Sequence, residues 1–529
     1  MKKDTKSFVG AQVGLTWILC TCMVAVGTLT GAAPIAWGQD STPPSLTSSN
    51  KKLEEGFRWA MSKVPVYVQT GKTGLINKDE GHPKGTGTAA YIPSYWAGYY
   101  HRTAFYGRDF AHQSASAHIA GLDEENYAML KTFAKSATPG RNWYALWAFN
   151  FDGTPHQIDY HGDNHFVREI PAQFELLETA NKLFLWTGDN RFNTDKDFLH
   201  FYEKTMTEFI DLHDTVNPNG IPEGKGDIWV GSCTYNEHDV HPLEAGDAIG
   251  AQYQATLAYA GIQNARGEKK KSAEYAAKAK ELKRYFNEEW SVIDPKNPQG
   301  RYVCMIAKDG RKLDQYNKGT SYHMPRKLLT ESGPRTDRYL DFISEKVGTS
   351  LNSTPDANNN IEAYTYLPDL FFLYNRNEQA WYWMHYILSV REKPHHVRKQ
   401  GTNGDYPEVS FTFLSHTVEG LMGVEPNAPM HAVATGAHLP KAIKWVDLRS
   451  LSMGAHRLDI RHDGLTQTTV KNNSTKPLQW EARFYGQHDK ISVGKKVMTT
   501  KHKKVNGVPV SYLVVDVRPN KSVTVHVVK

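Results

Sequence analysis

Residues 404–411 read Gly404-Asp405-Tyr406-Pro407-Glu408-Val409-Ser410-Phe411 and stand just before the last helical segment of a long α-helical region. Glu408 is the residue of interest in this stretch. Its carboxylate could simply complement the positive end of the helix dipole. It could also carry chemistry, because carboxylates are frequent general acids and bases. Its position on the loop that opens the final helix makes it the first candidate for a functional residue.

The region from about Lys51 to Gly423 reads as helices of moderate length joined by aromatic, glycine-rich loops. Apolar residues recur with the helical period of 3.6, for example from Phe174 to Phe184. Turn sequences such as Asn217-Pro218-Asn219-Gly220 end the segments. The pattern predicts about twelve helices, over 52–63, 108–121, 124–137, 166–187, 196–213, 245–266, 271–290, 320–330, 335–347, 360–375, 377–391 and 409–422.

After Pro440 the chain changes to short alternating or apolar runs, over 466–470, 479–484, 512–517 and 522–527. Turn residues such as Asn506-Gly507 separate these runs, which is typical of strands. We therefore predict a helical domain over 39–439 and a small C-terminal β-sandwich over 440–529.

Twelve helices in one domain indicate a toroid of paired hairpins, with an inner and an outer ring of six. A stacked helical solenoid would show a fixed repeat period, and the sequence has none. The loops at one end of a toroid converge on a pocket, so functional residues are expected in long loops and at inner-helix starts. The predicted fold class is mainly α, an (α/α)6 toroid followed by a C-terminal β-sandwich.

Residues 1–38 have the pattern of a cleaved secretory signal peptide. Lys2, Lys3 and Lys6 precede a mostly apolar run from Val9 to Trp37. An uncleaved anchor helix and a lipoprotein signal are the alternatives. No other stretch reaches the roughly 18 apolar residues of a membrane span. We expect a secreted or periplasmic protein with no membrane span after signal removal.

The charge of the chain is nearly balanced, with 62 Lys and Arg against 56 Asp and Glu, a net charge of +6. Without residues 1–38 the counts are 59 and 55, a net charge of +4. This balance argues against a nucleic-acid partner and is neutral toward acidic sugars. Cys233 and Cys304 remain after signal removal, and they could either pair or stay as two buried thiols.

An acidic loop precedes the helix predicted over 245–266, and its candidate carboxylates are Glu237, Asp239 and Glu244. These groups could only complement the helix dipole, with Glu244 in the first helical turn. A carboxyl group held among aromatic residues could instead act as a general acid, because burial raises its pKa. A metal site is a further alternative, because zinc or calcium could bind the residue types of His238, Asp239, His241 and Glu244. Their spacing matches no metal motif, so we predict neither a metal nor another cofactor.

The densest aromatic stretch, residues 95–113, leads into the second helix and contains the pair Arg108-Asp109 at the helix start. The pair could be a helix cap and a salt bridge. Aromatic rings also stack on the apolar faces of sugars, and Arg and Asp bind sugar hydroxyls. We favour a carbohydrate site, with the predicted substrate-binding residues Arg108, Asp109, Tyr99, Tyr100, Tyr106, His112, His161, Trp229 and Tyr235.

These features together resemble the six-hairpin glycosidases, a superfamily of (α/α)6 toroids that includes glucoamylases, α-L-rhamnosidases and trehalases. The resemblance rests on the aromatic run to Gly107-Arg108-Asp109, the acidic loop, and Tyr406-Pro407-Glu408. It covers roughly 90–435, and 440–529 is similar to the C-terminal β domain of the rhamnosidase branch.

The resemblance implies a role for each of these regions. Arg108 and Asp109 would hold the terminal sugar, the 237–244 cluster would supply the acid, and Glu408 would be the base. Two departures leave the acid unassigned. The rhamnosidase acidic signature is missing, and Trp229-Val230-Gly231 replaces the Trp-Glu-Glu of glucoamylases.

The expected function is an exported glycoside hydrolase that is exo-acting and inverting. A polysaccharide lyase on a helical toroid is the alternative, with His161, His165, Tyr235 or His238 as the group that abstracts a proton. A non-catalytic glycan-binding protein is the third possibility. Each alternative has a carbohydrate as its partner. The sugar, its linkage and the oligomeric state are not readable from the sequence.

Overall fold

A computed structural model describes residues 42–236, 241–353 and 361–528, with the backbone alone over 349–353. The predicted signal peptide, Glu237, His238 and Asp239 lie outside these residues. The described helices are α1 Lys51–Tyr67, α2 Gly107–Ile119, α3 Asp123–Ser136, α4 Ile170–Thr187, α5 Arg191–Thr194, α6 Lys196–Met206, α7 Glu208–His213, α8 Gly246–Ala265, α9 Lys269–Tyr285, α10 Thr320–Arg326, α11 Pro334–Ser353, α12 Ile361–Tyr364, α13 Tyr366–Leu373, α14 Asn377–Val390 and α15 Pro407–Ser415.

Each predicted helical segment overlaps at least one of these helices. Each of α9 and α15 is prolonged by a π-helical stretch, Phe286–Trp290 after α9 and His416–Leu421 after α15. The apolar face predicted from Phe174 to Phe184 is buried in α4. That helix begins only at Ile170, because the preceding residues form strand and Glu169 makes a bridge with Ser232. None of the helices in the described ranges is both long and apolar enough to cross a membrane.

Six of the helices contact one another in a closed series. α2 packs against α4, α4 against α8, α8 against α10, and α10 against α13. The series returns through the π-helical end of α15, which contacts α13, while α15 itself packs on α2. The remaining long helices lie outside this series, as α9 does on α8 and α14 on α13. This arrangement brings the first turns of α2, α13 and α15 close together.

The strands of the described residues are β1 Ser45–Ser48, β2 Thr73–Ile76, β3 Gly87–Ala90, β4 Ala104–Tyr106, β5 Ala148–Asn150, β6 Tyr160–Gly162, β7 His165–Phe166, β8 Glu244–Ala245, β9 Met305–Ile306, β10 Lys312–Leu313, β11 Glu425–Asn427, β12 Ala432–Gly436, β13 Trp445–Met453, β14 His456–Asp463, β15 Gln467–Asn472, β16 Leu478–Tyr485, β17 Lys490–Val493, β18 Lys496–Thr499, β19 Lys501–Val505, β20 Val508–Val517 and β21 Lys521–Val527.

Two large sheets dominate the C-terminal region. One has the order β1-β13-β14-β15-β21-β17-β18, and the other has the order β11-β12-β16-β20-β19. Neighbouring strands are antiparallel except β12 and β16. Alternate residues of β14, from His456 to His462, are buried, as expected for a strand with one face on a core. The predicted strands are confirmed, whereas the predicted boundary at residue 440 stays a prediction.

The N-terminal strand joins the C-terminal sheet. β1 pairs antiparallel with β13, with Ser45 opposite Arg449 and Ser48 opposite Val446. Asn50 then caps α1 by accepting from the backbone N–H groups of Lys52 and Leu53. Helix α1 packs against α15. The segment from β1 to α1 therefore ties the sheet to the helix that carries Glu408.

Candidate functional site

Glu408 lies in the first turn of α15 and is only 2% exposed. Its Oε1 atom is 2.5 Å from Nδ1 of His112 on α2, and Tyr366 at the start of α13 hydrogen-bonds its carboxyl group. Burial raises the pKa of Glu408 well above its ordinary value, and the nearby Asp109 and Glu362 raise it further. The carboxyl group therefore holds a proton more tightly than an exposed glutamate does.

His112 connects Glu408 to a second carboxylate, Asp369 of α13. Nε2 of His112 is 2.9 Å from Oδ2 of Asp369. Burial acts to raise the pKa of Asp369, but His416, His112 and the Arg326 guanidinium lower it overall. Asp369 is therefore ionised and can only accept a hydrogen bond, so Nε2 of His112 donates to it.

The tautomer of His112 decides which residue holds the proton between Glu408 and His112. Burial lowers the pKa of His112 to about 3, so the ring is neutral and its single proton is on Nε2. Nδ1 then offers a lone pair to Glu408, and two acceptors cannot bond to each other. The proton between them belongs to Glu408 in this arrangement. Moving it onto Nδ1 would leave Glu408 ionised and His112 a cation between two carboxylates, with the total charge unchanged.

Asp109 lies one position after Arg108 in the first turn of α2, and its carboxylate accepts from the Tyr406 hydroxyl. Burial raises the pKa of Asp109 to about 6, against an ordinary value of 3.8. Tyr99 packs edge-on against Tyr406 with ring centroids 5.6 Å apart. The structure thus brings together Asp109, Glu408 and the predicted aromatic residue Tyr99.

Arg108 lies between two aromatic rings. Its guanidinium carbon is 4.9 Å from the Trp147 ring centroid and 5.1 Å from that of Tyr235. Its Nη1 donates to Glu169 Oε1 at 3.2 Å and to the Tyr235 carbonyl at 3.0 Å. Its side chain keeps 19% exposure, and Asp109 and Trp147 are partly exposed. Arg108, Asp109 and Trp147 therefore reach solvent beside the start of α2.

Tyr235 is held by buried polar contacts behind the site. Asp247 accepts from the Tyr235 backbone N–H at 2.7 Å and from the Thr234 hydroxyl at 2.8 Å. The Tyr235 ring stacks on His323 at 4.1 Å. Burial, then the neighbouring Glu175, raises the pKa of Tyr235 well above its ordinary value. Tyr235 is therefore a neutral ring that covers Arg108.

Three further predicted residues lie toward the edge of the site. The hydroxyl of Tyr106 accepts from Arg102 at 3.0 Å, and the ring is buried. Tyr100 is 37% exposed and packs against Tyr67. His161 is exposed and stacks on Trp229 at 5.1 Å. These contacts are with Arg102, Tyr67 and Trp229, so the assignment of the three residues to substrate stays a prediction.

Glu244 is not in a helical turn, as the sequence analysis expected, but in strand β8, paired with β9. The strand directs its fully buried carboxylate toward Asn217, Asn219 and Trp290, each of which donates a hydrogen bond to it. Burial raises its pKa. In this structure the Glu244 carboxylate therefore holds three side chains together. These contacts give no support to its predicted role as acid, which stays a prediction. Glu237 and Asp239 lie outside the described residues, so their role stays a prediction.

The site residues that sequence reasoning missed are His323, Arg326, Asp369, Glu175 and Glu362. Arg326 donates to Asp369 at 3.3 Å, and Lys327 pairs with Glu175 at 2.6 Å. No local motif marks them, because each acquires its role only from a partner far along the chain. His112 was predicted to bind substrate, but its two ring nitrogens face Glu408 and Asp369.

Among the residues that the structure describes, two groups of side chains have metal-ligand composition, namely His112 with Asp369 and His416, and Glu362 with His395 and His396. Hydrogen bonding engages both groups. Nε2 of His112 donates to Asp369, beside the Arg326 cation. Nδ1 of His395 accepts the Val397 backbone N–H at 3.0 Å, which leaves the proton on Nε2, where a metal would bind. These donor sets do not suit a metal ion, and the expectation of no cofactor stays a prediction.

A cavity of about 570 Å³ lies on the Asp369 side of His112, among the C-terminal halves of α4 and α8. Glu178, Lys182 and Glu419 line it, and Lys182 pairs with Glu419 at 2.7 Å. Glu408 and Arg108 do not line it. His112 and Asp369 therefore separate this cavity from the carboxyl group of Glu408.

The buried cysteines do not form a disulfide. Cys233 donates to the carbonyl of Pro242 at 3.4 Å, and Cys304 donates to the carbonyl of Gln315 at 3.2 Å. Of the two states considered from the sequence, the structure has two free thiols.

Comparisons with known proteins show which solved structures have a similar fold. No model of a protein family matches the chain, and no curated protein matches it. Solved structures do match. A GH78 family rhamnosidase of Bacillus sp. GL1 is 12% identical with a TM-score of 0.54, over 81% of this chain and 40% of that one. The α-L-rhamnosidase from Dictyoglumus thermophilum is 12% identical with a TM-score of 0.53, over 92% and 51%.

The Streptomyces avermitilis α-L-rhamnosidase, solved with L-rhamnose, is 10% identical with a TM-score of 0.51, over 93% of this chain and 42% of that one. The chain thus spans between two fifths and about half of the length of these proteins. At such identities the likeness concerns the fold. In its fold this protein is similar to these rhamnosidase structures.

Proposed function

We propose that the protein is a glycoside hydrolase, and that its closed series of six helices is the inner ring of an (α/α)6 toroid. The observation that carries the proposal is the position of Glu408, buried at an inner-helix start, sharing a proton with His112 beside Asp109. Acid–base cleavage of a glycosidic bond requires one carboxyl group that donates a proton and one carboxylate that accepts one. The shared fold layout with rhamnosidases supports the same reaction class.

Glu408 would act as the general base once its proton has moved onto His112. The ionised Asp369 stabilises the imidazolium that forms, because an opposite charge at hydrogen-bond distance favours the charged ring. Glu408 could then take a proton from an attacking water. His112 would hold the shared proton during this step, and Asp369 would keep the ring in the required tautomer.

Asp109 is the carboxyl group that the geometry favours as the partner acid. Its pKa of about 6 keeps a substantial fraction protonated in mildly acidic solution. Asp109 lies close enough to Glu408 to raise its pKa, whereas Asn217 and Trp290 hold Glu244 by hydrogen bonds at another place. Glu237 and Asp239 remain candidates for the same role. Arg108, between Trp147 and Tyr235, would bind sugar hydroxyls.

Exo action and inversion belong to this proposal. Tyr406, whose hydroxyl donates to Asp109, has a buried ring that would close the pocket behind a terminal sugar. Inversion needs an acid and a base roughly 6.5–9.5 Å apart, with a water between them. We also propose that residues 1–38 direct export and are removed, and that the substrate is an oligo- or polysaccharide.

The experiment is a product analysis on neutral and uronate-containing oligosaccharides, with wild type, Glu408→Gln and the control Glu419→Gln. Glu419 is on the continuation of α15 and pairs with Lys182. We expect monosaccharide of inverted configuration from wild type and from the control, and at least ~100-fold slower turnover from Glu408→Gln.

Other products would identify other functions. An unsaturated product absorbing in the ultraviolet would indicate a lyase, and binding without product would indicate a glycan-binding protein. A ladder of internal fragments would reject exo action. The neutral, buried Tyr235 is a poor base at neutral pH, which counts against Tyr235 as the group that would abstract a proton in a lyase.

A further inference from the structure

The charge of the chain is divided unevenly between its two regions. Residues 440–529 contain 17 Lys and Arg but only 6 Asp and Glu, a net charge of +11. Residues 1–439 contain 45 and 50, a net charge of −5. The nearly balanced total therefore conceals a strongly basic β region. Such asymmetry indicates an interaction with a polyanion.

The basic groups concentrate at one edge of the two sheets. β18 is the last strand of the seven-stranded sheet, β19 is the last strand of the five-stranded sheet, and only Thr500 separates them. The Thr500 hydroxyl donates to the His488 carbonyl and fixes this corner. We call five exposed residues on and beside these strands the lysine edge, namely Lys490, Lys495, Lys496, Lys501 and Lys504.

The lysine edge has no internal neutralisation. Within the described part of the chain, none of its five members forms an ion pair, whereas the adjacent Lys503 pairs with Glu481 at 2.6 Å. Some lysines elsewhere on the surface are paired, as Lys278 is with Glu274 on α9. Unpaired ammonium groups spaced along extended strands offer a row of separate positive charges to one long ligand.

An aromatic ring lies beside this row. Tyr512 of β20 is directly opposite Lys501 in the strand register, and it is partly exposed. The ammonium group of Lys503 is 4.8 Å from its ring centroid. A ring flanked by lysines can contact the apolar face of a sugar while the ammonium groups meet its acidic substituents.

We infer that the lysine edge, with Tyr512, binds an anionic polysaccharide that has one carboxylate or sulfate on each sugar. The row has no arginine, so it lacks the planar donor pairs that recognise phosphate and bases. Duplex DNA also carries a charge about every 1.7 Å, and the net negative helical region would repel so dense a polyanion more strongly.

Lysines on edge strands can also serve only to prevent strands of two molecules from pairing. The two roles differ in a measurable way. Replacement of lysine by glutamate keeps an edge charged and unpaired, but it reverses the sign that a polyanion recognises. A purely protective edge would therefore tolerate glutamate without any change in polysaccharide binding.

The test is affinity electrophoresis of the full chain in gels containing polygalacturonate, neutral galactan or duplex DNA. The variants carry Lys→Gln at 490, 496, 501 and 504, or Lys→Glu at 501 and 504. A matched control carries Lys→Gln at 269, 270, 278 and 280 on α9, which changes the net charge equally. Far-ultraviolet circular dichroism and light scattering establish that each variant is folded and unaggregated.

We expect wild type and the α9 control to bind polygalacturonate, with both edge variants at least ~10-fold weaker and less dependent on salt. Tyr512→Ala should weaken binding without changing the salt dependence. The inference is overturned if wild type fails to bind, if the α9 control loses as much as the edge variants, or if DNA binds more tightly. None of these outcomes depends on glycosidase activity, so the two proposals fail separately.

Discussion

Oε1 of Glu408 lies 2.5 Å from Nδ1 of His112, although the two residues are 296 positions apart in the chain. The other ring nitrogen of His112, Nε2, donates a hydrogen bond to Asp369. This relationship makes the protonation of Glu408 a property of three side chains on three helices. Its consequences can be tested before any substrate is known in detail.

Replacement of His112 by Asn should lower kcat at least ~10-fold and leave KM nearly unchanged, because the ring faces Glu408 and Asp369. Without a nitrogen to take the shared proton, Glu408 ionises only at higher pH. The acid limb of the kcat profile should therefore move upward in pH. His416→Asn, which affects Asp369 but not Glu408, is the control. An acid limb that stays in place in His112→Asn would reject proton sharing.

Asp109 should make stability fall as pH rises from about 4 to about 6. Its pKa is raised in the folded state to about 6, so in this window the native state binds more protons than the unfolded chain. Asp109→Asn is neutral throughout, and its melting temperature should rise relative to wild type as pH increases. Melting curves measured across this range provide the difference. A constant difference would show that Asp109 does not titrate in this window.

Arg108→Ala should destabilise the protein by roughly 3–5 kcal/mol, because it takes the guanidinium away from the buried Glu169 carboxylate. Arg108→Lys retains the charge and should be milder, but it loses the flat contact with the Trp147 and Tyr235 rings. Denaturant unfolding measures the first effect, and KM for a small saccharide measures the second. Equal KM values for Arg108→Lys and wild type would remove Arg108 from the sugar site.

Glu244→Gln should reduce stability by roughly 1–3 kcal/mol and leave kcat within about threefold of wild type. The reason is that Asn217, Asn219 and Trp290 all donate to this buried carboxylate, and an amide oxygen replaces it incompletely. Turnover of poor and activated aryl glycosides provides the check. A folded variant that fails only on poor leaving groups would restore Glu244 as the acid.

Cys233 and Cys304 should not react with aromatic disulfide reagents in the native protein. Burial raises the pKa of Cys233 well above its ordinary value and that of Cys304 to about 12, so neither thiolate is available. Both thiols should titrate after denaturation of a chain lacking residues 1–38. Reducing agents should leave the melting temperature unchanged, whereas a drop in it would reveal a disulfide.

The helices and strands could be predicted because their signals are local. The apolar period in α4 and the alternation in β15 and β21 depend on neighbouring residues alone. Glu408 could be proposed because Pro407 and the preceding turn mark a helix start. Where a local signal was overruled, tertiary pairing was the cause. Pro242 indicated a helical turn at Glu244, but pairing with β9 made that residue part of a strand.

The network behind Glu408 could not be predicted from the sequence. Asp369 and Arg326 lie inside helical segments whose pattern gives no reason to separate them from ordinary charged residues. Their function arises from the packing of α10 and α13 beside α2. His112 was recognised as a residue near the site, but only coordinates could distinguish contact with substrate from contact with two carboxylates.

The pairing of β1 with β13 has a consequence for biosynthesis. The Ser48 hydroxyl donates to the carbonyl of Trp445, which is 397 positions further along the chain. At roughly 5–20 residues per second, a ribosome needs on the order of 20–80 s to supply that partner. During this time β1 is an unpaired strand, a template for contacts with other chains. A transcript ending before residue 445 would therefore yield an aggregation-prone fragment rather than a free-standing helical domain.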